Sequence, residues 1–190
     1  MTAVVVTPEM STDYATETSH GVAVSWPVAG TLGGIAGAAA FGGFLWLVQP
    51  GVIGSTIPAA YGLETIGPVG WLIHLVHGGI LGLVFGALIS RPFARGVLQT
   101  QVETKSWPED SQFARFVTAG GAFGLALWTI LPVLLLPALA GFIGSETVDI
   151  FPRIAVESLL GHLLFGMVLG GVFSLTTDWD GPPDSETLEE

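Results

Sequence analysis

The stretch HLVHGGILGLVFGAL, residues 74–88, has a diverged copy, HLLFGMVLGGVFSL, at residues 162–175. Aligned without gaps, the two copies agree at His74/His162, Leu75/Leu163, Gly78/Gly166, Leu81/Leu169, Gly82/Gly170, Val84/Val172 and Phe85/Phe173. Apolar segments often match by chance, but paired histidines and paired glycines do not. The sequence therefore predicts an internal repeat whose unit carries one histidine.

Small residues recur at every fourth position after each of these histidines. They are Gly78, Gly82 and Gly86 in the first copy, and Gly166, Gly170 and Ser174 in the second. A spacing of four places them on one face of a helix, and such faces let helices in a membrane approach closely. The same kind of packing is predicted for Gly34, Gly42, Gly120 and Gly124 in the other two apolar runs.

The composition is that of an all-α membrane protein. Half of the 190 residues are hydrophobic and 11% are charged. The apolar residues form four runs of about 20 residues, each long enough to cross a hydrocarbon core of about 30 Å. We expect four transmembrane helices at residues 26–48, 68–90, 112–136 and 153–176, between disordered acidic tails at 1–25 and 177–190.

The repeat extends to the two remaining spans. FGGFLWLVQP, from Phe41, and FGLALWTILP, from Phe123, share Phe, Gly, Leu, Trp and Pro at identical spacing. Residues 26–90 and 112–176 therefore form two hairpins. Because each hairpin returns the chain to its starting side, the two must be parallel, related by a pseudo-twofold axis along the membrane normal. This four-helix bundle would place His74 and His162 at one depth.

The charges predict the orientation and exclude some partners. Loop 91–111 and its borders carry Arg91, Arg95, Lys105 and Arg115, and such loops remain in the cytoplasm. A multi-pass protein of the cell membrane with both termini cytoplasmic is expected. The net charge of −11 argues against nucleic acid as a partner. The acidic tails are typical of halophilic proteins, as in haloarchaea, or are simply solvated acidic tails. The chain contains no cysteine.

His74 and His162 are the candidate site. Two histidines at one depth, each beside glycines that make room for a flat ligand, suit the two axial ligands of haem b. They also suit a divalent metal or a proton or ion pathway. The alternative is structural: each histidine donates a hydrogen bond across a tight helix contact. His77 has Phe165 as its counterpart in the second copy, so it is interpreted as structural or interfacial.

Three further residues have simpler interpretations. Trp46 and Trp128 are expected to be interfacial anchors near the outer ends of their spans. Glu157 is expected to be an acid near a helix start, stabilised by the macrodipole. No catalytic triad, phosphate loop or HExxH motif occurs, so no enzymatic activity is expected.

A family resemblance supports the membrane interpretation. The run GGIAG from Gly33, the first helix ending at Pro50, and GHLLFG from Gly161 preceded by Glu157 resemble the YagU-like inner-membrane proteins. The likeness covers about half of the chain and departs from the family in the spacing between Glu157 and Gly161. It implies a small multi-span membrane protein and carries over no catalytic residues.

The expected function is structural. Packing residues dominate the repeat and its polarity is limited to one histidine per half, which favours an accessory subunit or a self-associating scaffold in the membrane. A homo-oligomer or a larger membrane complex is the expected assembly. A bis-histidine haem or metal binder and a proton or ion conduit are the alternatives.

Overall fold

The computed structural model describes residues 24–64, 67–99, 112–130 and 151–177. Within these ranges every regular element is helical, as predicted. The elements are α1 (Trp26–Val48), a π-helical turn (Val52–Thr56), α2 (Ile57–Ala60), α3 (Gly67–Ile89), α4 (Pro92–Gln99), α5 (Gln112–Trp128) and α6 (Phe151–Thr176). Most of the predicted tails, most of loop 91–111, the end of the third predicted span with Pro132 and most of the connection that follows it lie outside the described residues.

Three of the described helices are long and apolar enough to cross a membrane: Trp26–Val48, Pro68–Ile89 and Val156–Thr176. Their limits agree closely with the predicted spans. Pro27, in the first turn of α1, has a fixed φ that suits a helix start and lacks the N–H that would remain unpaired there. The described part of α5 has 17 residues, so the third predicted span, 112–136, is described only in part.

Helix α1 packs on two neighbours through two different small-residue faces. Gly30 and Gly34 face α3, where a Cβ at Gly30 would come within 2.5 Å of the Gly82 carbonyl oxygen. Gly33 and Gly37 face α6, and their Cβ atoms would lie 2.8 Å and 2.5 Å from backbone carbonyl oxygens. Side chains rarely tolerate such distances. Glycine at these positions therefore lets three backbones come into direct contact.

The pair formed by α5 and α6 packs like the pair formed by α1 and α3. In the first pair, Gly34 faces the Gly78 carbonyl and Gly82 faces that of Gly30. In the second pair, a Cβ at Gly120 would meet the Gly166 carbonyl. Glycines of the predicted faces therefore lie at helix contacts in both pairs.

The register between the two pairs differs from the predicted alignment. The Phe41/Phe123 alignment equates Gly120 with Ala38, whereas the packing equates Gly120 with Gly34, one helical turn away. Gly120 of α5 lies against the Gly166 carbonyl and Gly124 against the His162 carbonyl, while Gly170 of α6 lies against the Phe116 carbonyl. These contacts set the register.

The contact between α1 and α6 has no equivalent between the described parts of α3 and α5. Helix α1 packs closely on α6, but α3 and α5 do not pack closely along their described lengths. The ring of Phe85 on α3 reaches Phe123 on α5, with ring centroids 5.4 Å apart, and also meets Phe173 on α6. At the level of Phe85, contacts between aromatic rings therefore take the place of a backbone contact between α3 and α5.

The helices present large apolar side chains outward. Leu47, Leu72 and Leu175 are 84%, 64% and 74% exposed, and no polar or charged residue is fully buried in the described ranges. Exposing such a surface to water would be unfavourable in free energy, whereas contact with apolar lipid tails would not be. The exposed apolar surface agrees with a multi-pass membrane protein.

Two connections contain helices that were not predicted. The connection between α1 and α3 forms the π-helical turn and α2. It packs against α3, where a Cβ at Gly70 would overlap the Ile53 carbonyl. The basic loop begins with α4, whose Leu98 carbonyl accepts a 2.6 Å hydrogen bond from Arg115.

Candidate functional site

The structure brings His74 and His162 to one layer of the bundle. Both imidazoles pack against the ring of Phe41 on α1, with centroid distances of 5.6 Å to His74 and 4.9 Å to His162. Phe41 is buried because Gly161 on α6 leaves space for its ring. The predicted pair is therefore joined through Phe41, for which the repeat predicted no such role.

His74 is held by a hydrogen bond between helices. Its Nε2 donates to the carbonyl oxygen of Ala38 on α1 at 3.0 Å. A carbonyl can only accept, so His74 carries a proton on Nε2. This bond joins α3 to α1, one turn along α1 from Gly34, as the structural interpretation of the histidine requires.

His162 is held differently. Its Nδ1 donates to the carbonyl oxygen of Ser158, one turn earlier in the same helix, at 2.7 Å. Its Nε2 therefore remains free to accept a hydrogen bond or to bind a metal. The two histidines match in sequence and depth, yet they expose different ring nitrogens.

This difference limits what the pair can bind. Metal ligation through Nε2, with Nδ1–H bonded to a carbonyl, is a common arrangement, and His162 has it. His74 offers only Nδ1, because Nε2 is occupied by Ala38. Across the described ranges, no three His, Asp or Glu side chains converge as a metal-binding group. A ligand bound through Nε2 of both histidines would require His74 to break its hydrogen bond to the Ala38 carbonyl oxygen.

The two tryptophans predicted to be anchors lie in different surroundings. Trp46 is 47% exposed near the end of α1, with its ring centroid 6.3 Å from that of Trp71 on α3. Trp71 in turn meets His74 edge to face. Trp128 is partly buried, and its Nε1 is enclosed without a hydrogen-bond partner. The surroundings of Trp46 suit an interfacial anchor better than those of Trp128.

The interpretation of Glu157 as an acid near a helix start is wrong. Helix α6 begins at Phe151, so Glu157 lies in its second turn, beyond the reach of the helix-end charges. Its Oε2 is enclosed and has no hydrogen-bond partner. The predicted start near Arg153 placed this carboxyl group too close to the helix end.

A second polar pair was not predicted. The Nε2 atom of His77 and the hydroxyl of Tyr61 are 2.6 Å apart in a hydrogen bond, and both residues are exposed. Tyr61 follows α2 in the outer connection, 16 residues before His77. Only the helical folding of that connection brings them together, so no local sequence pattern could have indicated the pair.

The bond between His74 and Ala38 leads to a stability prediction. His74→Phe keeps an aromatic ring but removes the donor, so we expect the free energy of unfolding to fall by about 1 kcal/mol. Titration with a denaturing detergent, followed by circular dichroism, measures it. Thr129→Val is the control, since its exposed hydroxyl bonds only to Leu125 in its own helix; it should change stability by less than about 0.5 kcal/mol. Equal effects of the two substitutions would show that the bond between helices adds nothing.

Comparison of the chain with protein-family models, with curated proteins and with solved structures finds no match. The resemblance to YagU-like proteins therefore stays a prediction.

Proposed function

We propose that the protein is a small integral membrane protein with a structural role, either as a self-associating scaffold or as an accessory subunit of a larger membrane complex. In this proposal residues 26–90 and 112–176 form two parallel hairpins of two spans each. Both termini and loop 91–111 face the cytoplasm.

The observation that carries this proposal is the use of glycine at the helix contacts. Gly33 and Gly34, adjacent in sequence, each face the backbone of a different helix, so α1 packs on α6 and α3 of the same chain at once. In lipid, where the hydrophobic effect does not drive helices together, such contacts supply much of the association energy. In the described residues the glycines at these contacts serve packing between helices of the chain, which favours a structural role.

The tandem origin of the hairpins is supported by their matching contacts. The same carbonyl-facing pattern recurs at Gly78 and Gly166, and the histidines lie at the same layer. Chance similarity between apolar segments would not reproduce both features.

The test is the assembly state in lipid. Purified into lipid nanodiscs or a mild detergent, the protein is expected to run as a homo-oligomer or with a partner in fixed proportion, measured by native mass spectrometry. A harsh detergent that separates membrane complexes gives the reference mass of one chain. A lone monomer in the mild condition, at native expression levels, would contradict the proposal.

A cofactor binder is the second candidate, because both imidazoles lie against Phe41 and His162 keeps Nε2 free. A haem protein would show a Soret band in its absorption spectrum, lost in His162→Ala. A colourless protein that remains colourless after incubation with haem would remove this candidate.

A further inference from the structure

Helix α3 does not pack closely on α5 along their described lengths, whereas α6, the counterpart of α3 in the repeat, packs closely on α1. Residues Ile73, His77 and Leu81 lie at four-residue spacing on α3, and the next residue in this series is Phe85, which meets α5. We call this region, with Phe123 and Leu127 across from it, the α3–α5 seam. The corresponding position to His77 on α6 is Phe165, which is only 3% exposed because α1 covers it.

The α3–α5 seam has no close backbone contact in the described ranges because it lacks glycines like those that let α1 approach α6. Gly37 on α1 lets that helix approach the Phe165 carbonyl. In the packing register that equates Gly34 with Gly120, the counterpart of Gly37 is Phe123. On the opposite side, the counterpart of Gly161 is Ile73. Bulky side chains therefore hold α3 and α5 apart and leave His77 exposed.

The exposed histidine lies far from either end of its helix. His77 is the eleventh residue of the 23-residue α3, about 15 Å along its axis. In the proposed membrane placement His77 lies within a hydrocarbon core of about 30 Å, and its 2.6 Å hydrogen bond to Tyr61 brings that end of the connection between α1 and α3 into the core as well. A polar group that faces lipid at this depth is costly and marks a functional site.

The Tyr61–His77 pair keeps one N–H or O–H group free to donate, whichever of the two residues donates the hydrogen bond between them. If the Tyr61 hydroxyl donates to Nε2 of His77, the imidazole keeps a free Nδ1–H. If Nε2–H donates to the Tyr61 oxygen, the hydroxyl hydrogen of Tyr61 is free. The natural partner in either state is an acceptor oxygen.

We propose that His77 and Tyr61, in the α3–α5 seam, form a binding site open to lipid for a lipid-soluble molecule with a carbonyl oxygen, of the quinone class. The depth favours this class over bilayer lipids, whose ester carbonyls lie at the interface outside the hydrocarbon core. Exposed Leu63 and Ile80, near the pair in sequence, supply apolar surface of the kind that a ring or chain would cover. The proposal rests on the membrane placement and not on the structural role.

The experiment is thermal unfolding in lipid nanodiscs with a decyl-substituted quinone as the probe. A ligand that binds the folded state raises the midpoint in a saturable manner. We expect saturable stabilisation of the native protein, and none with decylbenzene, which has the same chain and no carbonyl. His77→Phe and Tyr61→Phe should each raise the half-saturating concentration about tenfold, as expected for the loss of one hydrogen bond.

Two controls make the result decisive. His77→Phe installs the residue that α6 has at the matching position, and Tyr61→Phe removes only an exposed hydroxyl, so both variants should fold. Val76→Ala alters an exposed apolar neighbour and should leave the half-saturating concentration unchanged. Equal stabilisation by decylbenzene, or full retention of the quinone effect in both variants, would overturn the proposal. Neither outcome depends on whether the protein assembles with a partner.

Discussion

Gly34→Leu is expected to prevent α1 from packing on α3 and to destabilise the folded protein by at least ~3 kcal/mol. A Cβ at Gly34 would overlap the Gly78 carbonyl, which is backbone and cannot rotate away. Overpacking usually costs about 1–3 kcal/mol where side chains can adjust, so a contact between two backbones should cost more. Titration with a denaturing detergent in micelles, followed by circular dichroism, would measure the loss.

Gly43→Leu is the matched control for this substitution. Gly43 lies in the same helix, and a Cβ there would meet nothing within 4 Å. The same change of residue should therefore leave stability within about 0.5 kcal/mol of the native value. If both variants were equally unstable, the effect would come from the loss of glycine in general and not from the helix contact.

Phe41→Ala is expected to cost about 3–5 kcal/mol, the usual range when a large buried aromatic side chain is removed. The Phe41 ring is 8% exposed, lies in the space left by Gly161 and contacts both His74 and His162. Its loss would leave a cavity where α1, α3 and α6 meet. The same unfolding titration measures the change.

Phe93→Ala makes the identical truncation at a residue that is 84% exposed. It should change the free energy of unfolding by less than about 0.5 kcal/mol. A small effect of Phe41→Ala, close to that of Phe93→Ala, would show that the layer around the histidines is not part of the folded core.

The sequence predicted the features that depend on helical spacing. The limits of α1 follow from Pro27 and the apolar run that ends at Val48, and the packing faces follow from glycines four residues apart. The common layer of His74 and His162 follows from aligning the two copies. Each of these features is local or repeated, so a single chain is enough to show it.

Features that depend on packing between helices were not predictable in the same way. The alignment of Phe41 with Phe123 differs by one helical turn from the register in which α1 and α5 pack on their neighbours. That register depends on where glycines allow backbones to touch and not on where the aromatic residues match. The different bonds of the two histidines depend on which carbonyl lies nearby. The His77–Tyr61 pair depends on how the outer connection folds back on α3.

The central claim is that four spans form two tandem hairpins, and its most direct test is the side of the membrane on which each segment lies. The chain contains no cysteine, so single substitutions can be labelled without background. Ser11→Cys, Ser106→Cys and Ser185→Cys report the two tails and the basic loop, while Ser55→Cys and Ser145→Cys report the outer connections.

Labelling with a membrane-impermeant maleimide, on intact cells and on inverted vesicles, distinguishes the two sides. We expect both tails and the basic loop to be labelled only in inverted vesicles, and both outer connections only in intact cells. Labelling of Ser11→Cys and Ser185→Cys from opposite sides would mean an odd number of spans and would contradict the two-hairpin architecture.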